Sequence, residues 1–229
     1  MIINIDGIIV TSKDYKESSK IFEVLTDKGI ISVIAKGCKG LKSPLRIVSR
    51  LTRATFTLYY KEDKLSTLKE YNVINDYKNI KKDYDLINYA SNITNIAYQV
   101  EHQDNDNEIY NILISSLDKI NNGFNPIVIT DILLIKYLSN LGVPIYDRCV
   151  ICGNKDNITT ISSDKGGYIC SNCRTNEPVL NIKTLKYIRM FNYINIGKIE
   201  KIEMEENIIS EIHNFITSYY DKYTGIYLK

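Results

Sequence analysis

The stretch KIFEVLTDKGIISVIAK, Lys20 to Lys36, decides how the first third of the chain folds. Its two arms carry the alternation and β-branched content of strands, and TDKG between them, Thr26 to Gly29, has the residues of a tight turn, so the stretch predicts a hairpin. Strand patterns flank it at Ile3 to Thr11, Arg53 to Lys61 and Leu65 to Ile74. Five short strands, with an irregular or helical insert between the third and fourth, fit an OB-fold barrel, and the pattern equally permits an SH3-like barrel.

The insert, KGCKGLKSPLRIVSRLTR, is strongly cationic. From Lys28 to Lys61 the chain has eight basic residues and no Asp or Glu, although the net charge of the whole is only +2. The remaining residues hold 21 basic against 27 acidic side chains. One basic segment on an otherwise acidic chain is the footprint of a nucleic-acid contact, against the plainer reading of a solvated charged face. Ser43 and Pro44 suit an N-cap and first turn, predicting a helix over Leu45 to Arg53. Such a helix places Arg46, Arg50 and Arg53 on one stripe and turns Leu45, Ile47, Val48 and Leu51 toward a core. Gly37 and Gly40 would let backbone approach a phosphate, and Tyr59 or Tyr60, of which only one can face a given side of a strand, could stack on bases.

From about Tyr84 the apolar period lengthens to 3.6. Leu86, Tyr89, Ala90, Ile93, Ala97 and Val100 form one helical stripe, and Ile109, Ile112, Leu113 and Ile120 form another. IVITDILLIKYLSNLG is apolar enough to be a central helix, stopped by Gly142 and Pro144. Further helices are expected at Leu185 to Tyr193 and Ile208 to Tyr219. The acidic run Asp104 to Glu108 is read as a helix-to-helix turn and not as a Mg2+ site.

Four of the five cysteines lie in RCVICGN, Arg148 to Asn154, and YICSNC, Tyr168 to Cys173. Cys149 and Cys152 make one C-x2-C and Cys170 and Cys173 another, with 17 residues between the pairs. That spacing is read as a zinc ribbon, with four thiolates filling a tetrahedral shell around one structural Zn2+. A thioredoxin-like redox pair leaves the second motif unexplained. Disulfides suit exported chains, whereas Met1 to Val10 has no signal-peptide pattern and Cys38 is a fifth, unmatched thiol, so a reducing cytoplasm is expected. A catalytic zinc would use histidine and keep an open position, and the only histidines, His102 and His213, are remote in sequence. No P-loop, dinucleotide glycine motif, serine elbow or metallohydrolase motif occurs, which speaks against an enzyme. A zinc-ribbon nuclease is the alternative in that class.

The segments YKESSKIFEVLTDKGIISVIAKGCKGLKSPL (Tyr15 to Leu45), LKEYNVI (Leu68 to Ile74), YAS (Tyr89 to Ser91), LLIKYLSNLGVPIYDRCVICG (Leu133 to Gly153) and GGYICSNC (Gly166 to Cys173) together resemble the RecO family of bacterial recombination mediators and DNA repair proteins. The resemblance spans nearly the whole chain. It implies an α+β protein: an N-terminal five-stranded OB-fold β-barrel over residues 1–78, then an α-helical domain over 79–229 carrying a four-cysteine zinc insert over 146–178. It implies binding to single- and double-stranded DNA, annealing of complementary strands, and loading of RecA with RecR onto strands coated by single-strand-binding protein. RecF is a partner in some lineages, and the setting is a nucleoid-associated cytoplasmic one. By matching position, Lys36, Lys39, Lys42 and Arg46 are the expected DNA contacts; Arg50 and Arg53 join them on the helical argument alone. Some members lack the cysteines, which agrees with a structural metal. An adaptor that meets DNA only through RecR is the remaining alternative. Cys38 stands where a small residue is expected.

Overall fold

The structure, a computed structural model, describes residues 1–46, 49–103 and 107–228. Ile47 and Val48 of the predicted helix, and residues 104–106 of the acidic run, lie outside the described residues. The chain forms two compact units, Met1–Leu117 and Asp118–Lys229.

The first unit is built on a closed five-stranded barrel with strand order β1-β2-β3-β5-β4. Its strands are β1 (Ile2–Tyr15), β2 (Ser19–Thr26), β3 (Gly29–Ala35), β4 (Arg53–Tyr59) and β5 (Ser66–Asn75). This order, closed by a short parallel pairing of Val33 with Ser66 and Ile34 with Thr67, is that of an OB-fold. The TDKG turn forms as its residues dictate: Gly29 takes φ +101°, and the Thr26 hydroxyl donates to Gly29 O at 2.8 Å. β1 is longer than its alternation suggests because it serves two partners. Its first half pairs with β4 and its second with β2, and Gly7 pairs with both Ala54 and Thr26. A Cβ there would lie 2.3 Å from Val24 Cγ1 and 2.8 Å from Leu25 O, so the crossover requires glycine. Inside, Ile9, Phe22, Val24, Val33, Phe56, Leu58 and Leu68 make the core. Cys38 is buried among them as a small apolar side chain.

The predicted helix over Leu45–Arg53 does not form among the described residues. The Ser43 hydroxyl caps a single turn, accepting from Leu45 N at 3.3 Å, and Leu51 has φ +58°, which no α-helix accommodates. The backbone is committed elsewhere. Leu51 N donates to Ile9 O and Ile9 N to Thr52 O, both at 3.1 Å, so residues 51–52 lie along β1 and feed directly into β4. Leu45 and Leu51 still turn inward, as their apolar character demands.

α1 (Lys78–Lys81), α2 (Tyr84–Glu101) and most of α3 (Asn107–Asn121) complete this unit. Asp83 caps α2 by accepting from the N–H groups of Asp85 and Leu86. In the second unit, α4 (Pro126–Asn140) is the central helix, with Val128 to Ile135 all buried. Asn125 caps it ahead of Pro126, and Gly142 at φ +72° ends it. α5 (Ile182–Tyr193) and α6 (Glu206–Tyr223) pack against α4, and the Tyr220 hydroxyl reaches Leu134 O at 2.7 Å. Among the described residues no helix is long and apolar enough to cross a membrane.

Candidate metal centre and basic surface

Between α4 and α5 the two C-x2-C pairs sit around a small antiparallel hairpin, β6 (Ile158–Ser162) and β7 (Gly167–Cys170). Each pair is a tight turn. Gly153 N donates to Cys149 O at 2.8 Å with Gly153 at φ +76°, and Cys173 N donates to Cys170 O at 3.1 Å. The turns are drawn together by Val150 N bonding to Tyr168 O at 2.9 Å. Close packing at Gly167, where a Cβ would stand 2.8 Å from Val150 Cγ1, works in the same direction. The four sulfurs lie within 4.8 Å of one another.

Four thiols in this arrangement could hold a metal ion. A tetrahedron with bonds of about 2.3 Å has edges of about 3.8 Å, and Cys152 Sγ stands 3.7 Å from Cys170 Sγ. Cys149 and Cys170 are buried, Cys173 is half-buried and Cys152 is exposed. Burial opposes ionisation of Cys149, but backbone N–H groups of Cys152, Cys170 and Ile151 outweigh it and hold its thiol down at about 6. Cys173 is pushed up to about 12, chiefly by hydrogen bonding to the Cys152 and Cys170 sulfurs. One thiolate thus forms readily while a neighbouring thiol holds its proton, and a divalent cation is what would stabilise four together.

The hairpin is fastened to two helices of its unit. From β7 the Tyr168 hydroxyl donates to Leu185 O of α5 at 3.3 Å, and Asp147, just ahead of the first cysteine pair, pairs with Arg189 of α5. At its tip Ser163 and Ser218 hydroxyls meet at 2.8 Å, and Asp164 pairs with Lys222 of α6.

The basic residues divide into two groups. Lys36, Lys42 and Arg46 are exposed on the segment between β3 and β4, and Lys39 pairs with Asp14 at 2.8 Å. That pairing, led by the hydrogen bond from Lys39, holds the Asp14 carboxyl below the usual carboxylate range. Lys39 N also donates to Ser18 O at 3.0 Å, fixing the segment against the β1–β2 turn. Arg50 and Arg53 point elsewhere. Arg50 Nε donates to Val10 O at 2.9 Å and Nη2 to Asn95 Oδ1 of α2 at 2.7 Å. Arg53 lies in β4 beside Tyr110, whose hydroxyl burial pushes up and whose ionised form the Arg53 charge favours. The single cationic stripe of Arg46, Arg50 and Arg53 is therefore corrected, because without the helix these side chains diverge.

Sequence reasoning passed over one pair, buried Asp131 of α4 with half-exposed His213 of α6, whose Nδ1 lies 2.8 Å from the carboxylate. Its signal was an aspartate inside the most apolar run of the chain. Burial pushes Asp131 up to about 6 despite the imidazole, and the bond to Asp131 raises His213.

Comparison with known proteins bears on both units. The family model described as Recombination protein O N terminal matches residues 1–77, and the one described as Recombination protein O C terminal matches residues 81–229. The chain belongs to the RecO family. A relative named DNA repair protein RecO from Bacillus pumilus is 30% identical over the whole chain and 92% of the relative. The protein of the same name from Bacillus subtilis is 29% identical with the same coverage. That from Halalkalibacterium halodurans is 27% identical over 98% of this chain and 91% of the relative. The junction between the two RecO matches falls at α1, where strands give way to helices.

Proposed function

We propose that this protein is a non-enzymatic, DNA-binding mediator of recombinational repair. It binds single- and double-stranded DNA, anneals complementary strands and, with RecR, helps load RecA onto strands coated by single-strand-binding protein. The observation that carries this reading is the acid-free basic segment on the barrel, with Lys36, Lys42 and Arg46 exposed and Lys39 beside them. Lysine and arginine neutralise phosphates without reading sequence, and two strands whose charge is neutralised repel each other less, so base pairing supplies the specificity. Membership of the RecO family supports the repair role, the partners RecR, single-strand-binding protein and RecF, and a nucleoid-associated cytoplasmic location.

The working division is a barrel domain over 1–78 and a helical domain over 79–229, with the metal insert over 146–178. The ion assigned to Cys149, Cys152, Cys170 and Cys173 is one Zn2+, on the strength of the all-sulfur donor set. Its four-ligand shell leaves no open position, so its part is to hold the two turns and thereby the hairpin. The chain's own residues do the rest: Tyr168 and Arg189 seat the hairpin on α5, and Asp164 seats it on α6.

The test is annealing of complementary oligonucleotides by purified protein, without nucleotide, with strand cleavage followed in the same samples. The expected result is annealing faster than the spontaneous rate, lost in the combined Lys36→Glu, Lys42→Glu, Arg46→Glu variant. No acceleration with RecR binding intact assigns an adaptor role instead. Cleavage that follows this chain through purification assigns a nuclease.

A further inference from the structure

The four sulfurs of the cysteine centre are alike in chemistry and unlike in access. Cys149 and Cys170 are buried, at 1% and 2% exposure, Cys173 is half-buried, and Cys152 alone is exposed. The turn that carries Cys152 explains the difference. Ile151 before it is exposed, and a Cβ on Gly153 after it would meet nothing within 4 Å, so the end of this turn stands in open solvent. Cys170 instead closes β7, beside fully buried Ile169 and in one cluster with Cys149. A solute therefore reaches one sulfur of the set first. That sulfur, Cys152 Sγ, lies 3.7 Å from Cys170 Sγ in the opposite turn.

We propose that Cys152 is an oxidation site: a hydroperoxide reacts there, and Cys170 resolves the product as a disulfide that joins the two turns. Exposure of a thiolate beside a second one is what makes a cysteine sensitive to oxidation. The steps balance. The Cys152 thiolate attacks one oxygen of hydrogen peroxide, an S–O bond forms as the O–O bond breaks, and hydroxide leaves a sulfenic acid behind. The Cys170 thiolate then attacks that sulfur, the S–S bond forms and a further hydroxide leaves, so a pair of thiolates is oxidised and the peroxide is reduced. This assignment rests on the zinc reading above and adds the reactive member of the shell. With Cys152 and Cys170 joined, Cys149 and Cys173 are half a shell and no longer retain the ion. The new bond links the same turns that the four thiolates linked, beside the bond from Val150 N to Tyr168 O at 2.9 Å. One clamp replaces another, and a dithiol reductant reverses the exchange. A disulfide within either C-x2-C pair would leave the turns unlinked.

The test treats the zinc-loaded chain with hydrogen peroxide beside a chromogenic zinc chelator, and maps tryptic peptides of the same samples after free thiols are blocked. Trypsin cuts after Arg148, Lys155, Lys165 and Arg174, which puts the two pairs on separate peptides, 149–155 and 166–174. Peroxide should release zinc in step with thiol loss, about one peroxide per ion, and should join these peptides through Cys152 and Cys170, as read from fragment ions. Dithiothreitol with added zinc should restore the original content. Cys152→His keeps four donors, three thiolates and an imidazole, and has no exposed thiol. It should load with zinc and retain it under the same peroxide. The peptide map of the parent needs no variant and decides the matter should Cys152→His fail to load. Links confined to 149–152 or 170–173, or zinc lost from Cys152→His as fast as from the parent, overturn the oxidation site while the zinc reading stands. A chain purified under reducing conditions without zinc overturns both.

Discussion

Replacing Arg50 by Ala separates a structural arginine from a DNA-binding one. Val10 is the bulged residue of β1, where the register with β2 shifts between Ile9 and Thr11, and it is buried. Its carbonyl accepts from Arg50 Nε, and the same guanidinium reaches Asn95 of α2. Bonds from a charged donor contribute about 1.5–3 kcal/mol each when well sheltered. Arg50 is largely exposed, so a figure of about 1 kcal/mol per bond, roughly 2 in total, is appropriate. For a chain of this size that corresponds to about 4–8 °C in melting temperature. Urea denaturation should therefore show a lowered midpoint at constant m-value for Arg50→Ala, while the salt slope of DNA binding stays within error of the parent. Lys42→Ala with Arg46→Ala should do the opposite: less than about 0.5 kcal/mol in stability, and a salt slope on single strands flatter by about 1.4. An unchanged urea midpoint together with a flattened slope for Arg50→Ala would refute this division and return Arg50 to the DNA surface.

Metal analysis of protein purified under reducing conditions should give one zinc per chain, and Cys149→Ser or Cys170→Ser should lower stability and solubility, because metal binding here is folding energy. Gly7→Ala should cost more than about 3 kcal/mol, read by denaturation, since its Cβ would meet Val24 and Leu25 O in a backbone crossing that cannot open. Asp131 and His213 both bind protons more tightly in the folded chain than in the unfolded one. Their contribution to stability is therefore greatest at low pH and falls as pH rises, first through about 6 for Asp131 and then through the raised value of His213. Asp131→Asn should accordingly gain on the parent between pH 5 and pH 8 in paired urea titrations, and a constant difference would refute the assignment.

The barrel was legible because its strands carry local signals that agree with the fold: the TDKG turn, β-branched arms and a period of two. The cysteine turns were legible for the same reason, since C-x2-C is a local device, helped in the first pair by the following Gly153. Residues 45–53 misled because Ser43-Pro44 and the apolar spacing are honest local helix signals, overruled by backbone bonds from Leu51 and Thr52 to Ile9, some forty residues away in sequence. No window of sequence contains that competition. Arg50 and Arg53 lost their shared stripe with it, because a helical pattern cannot register that a carbonyl or a tyrosine elsewhere in the fold draws each side chain its own way.

The double fastening of the cysteine hairpin has a consequence for how such a site is gained or lost in descent. Because the tip is tied to α6 and Tyr168 of β7 to α5 by bonds that do not involve sulfur, the hairpin keeps anchorage that is independent of its ion. A lineage that loses one cysteine, however, is left with three crowded thiols that no longer close a shell and still resist ionising together, a poorer state than four or none. Intermediates with one, two or three cysteines should be short-lived, and the positions of Cys149, Cys152, Cys170 and Cys173 should change hands as a set, with apolar residues packed on Ile169 as the natural replacement at 149, 170 and 173 and a polar one at exposed 152.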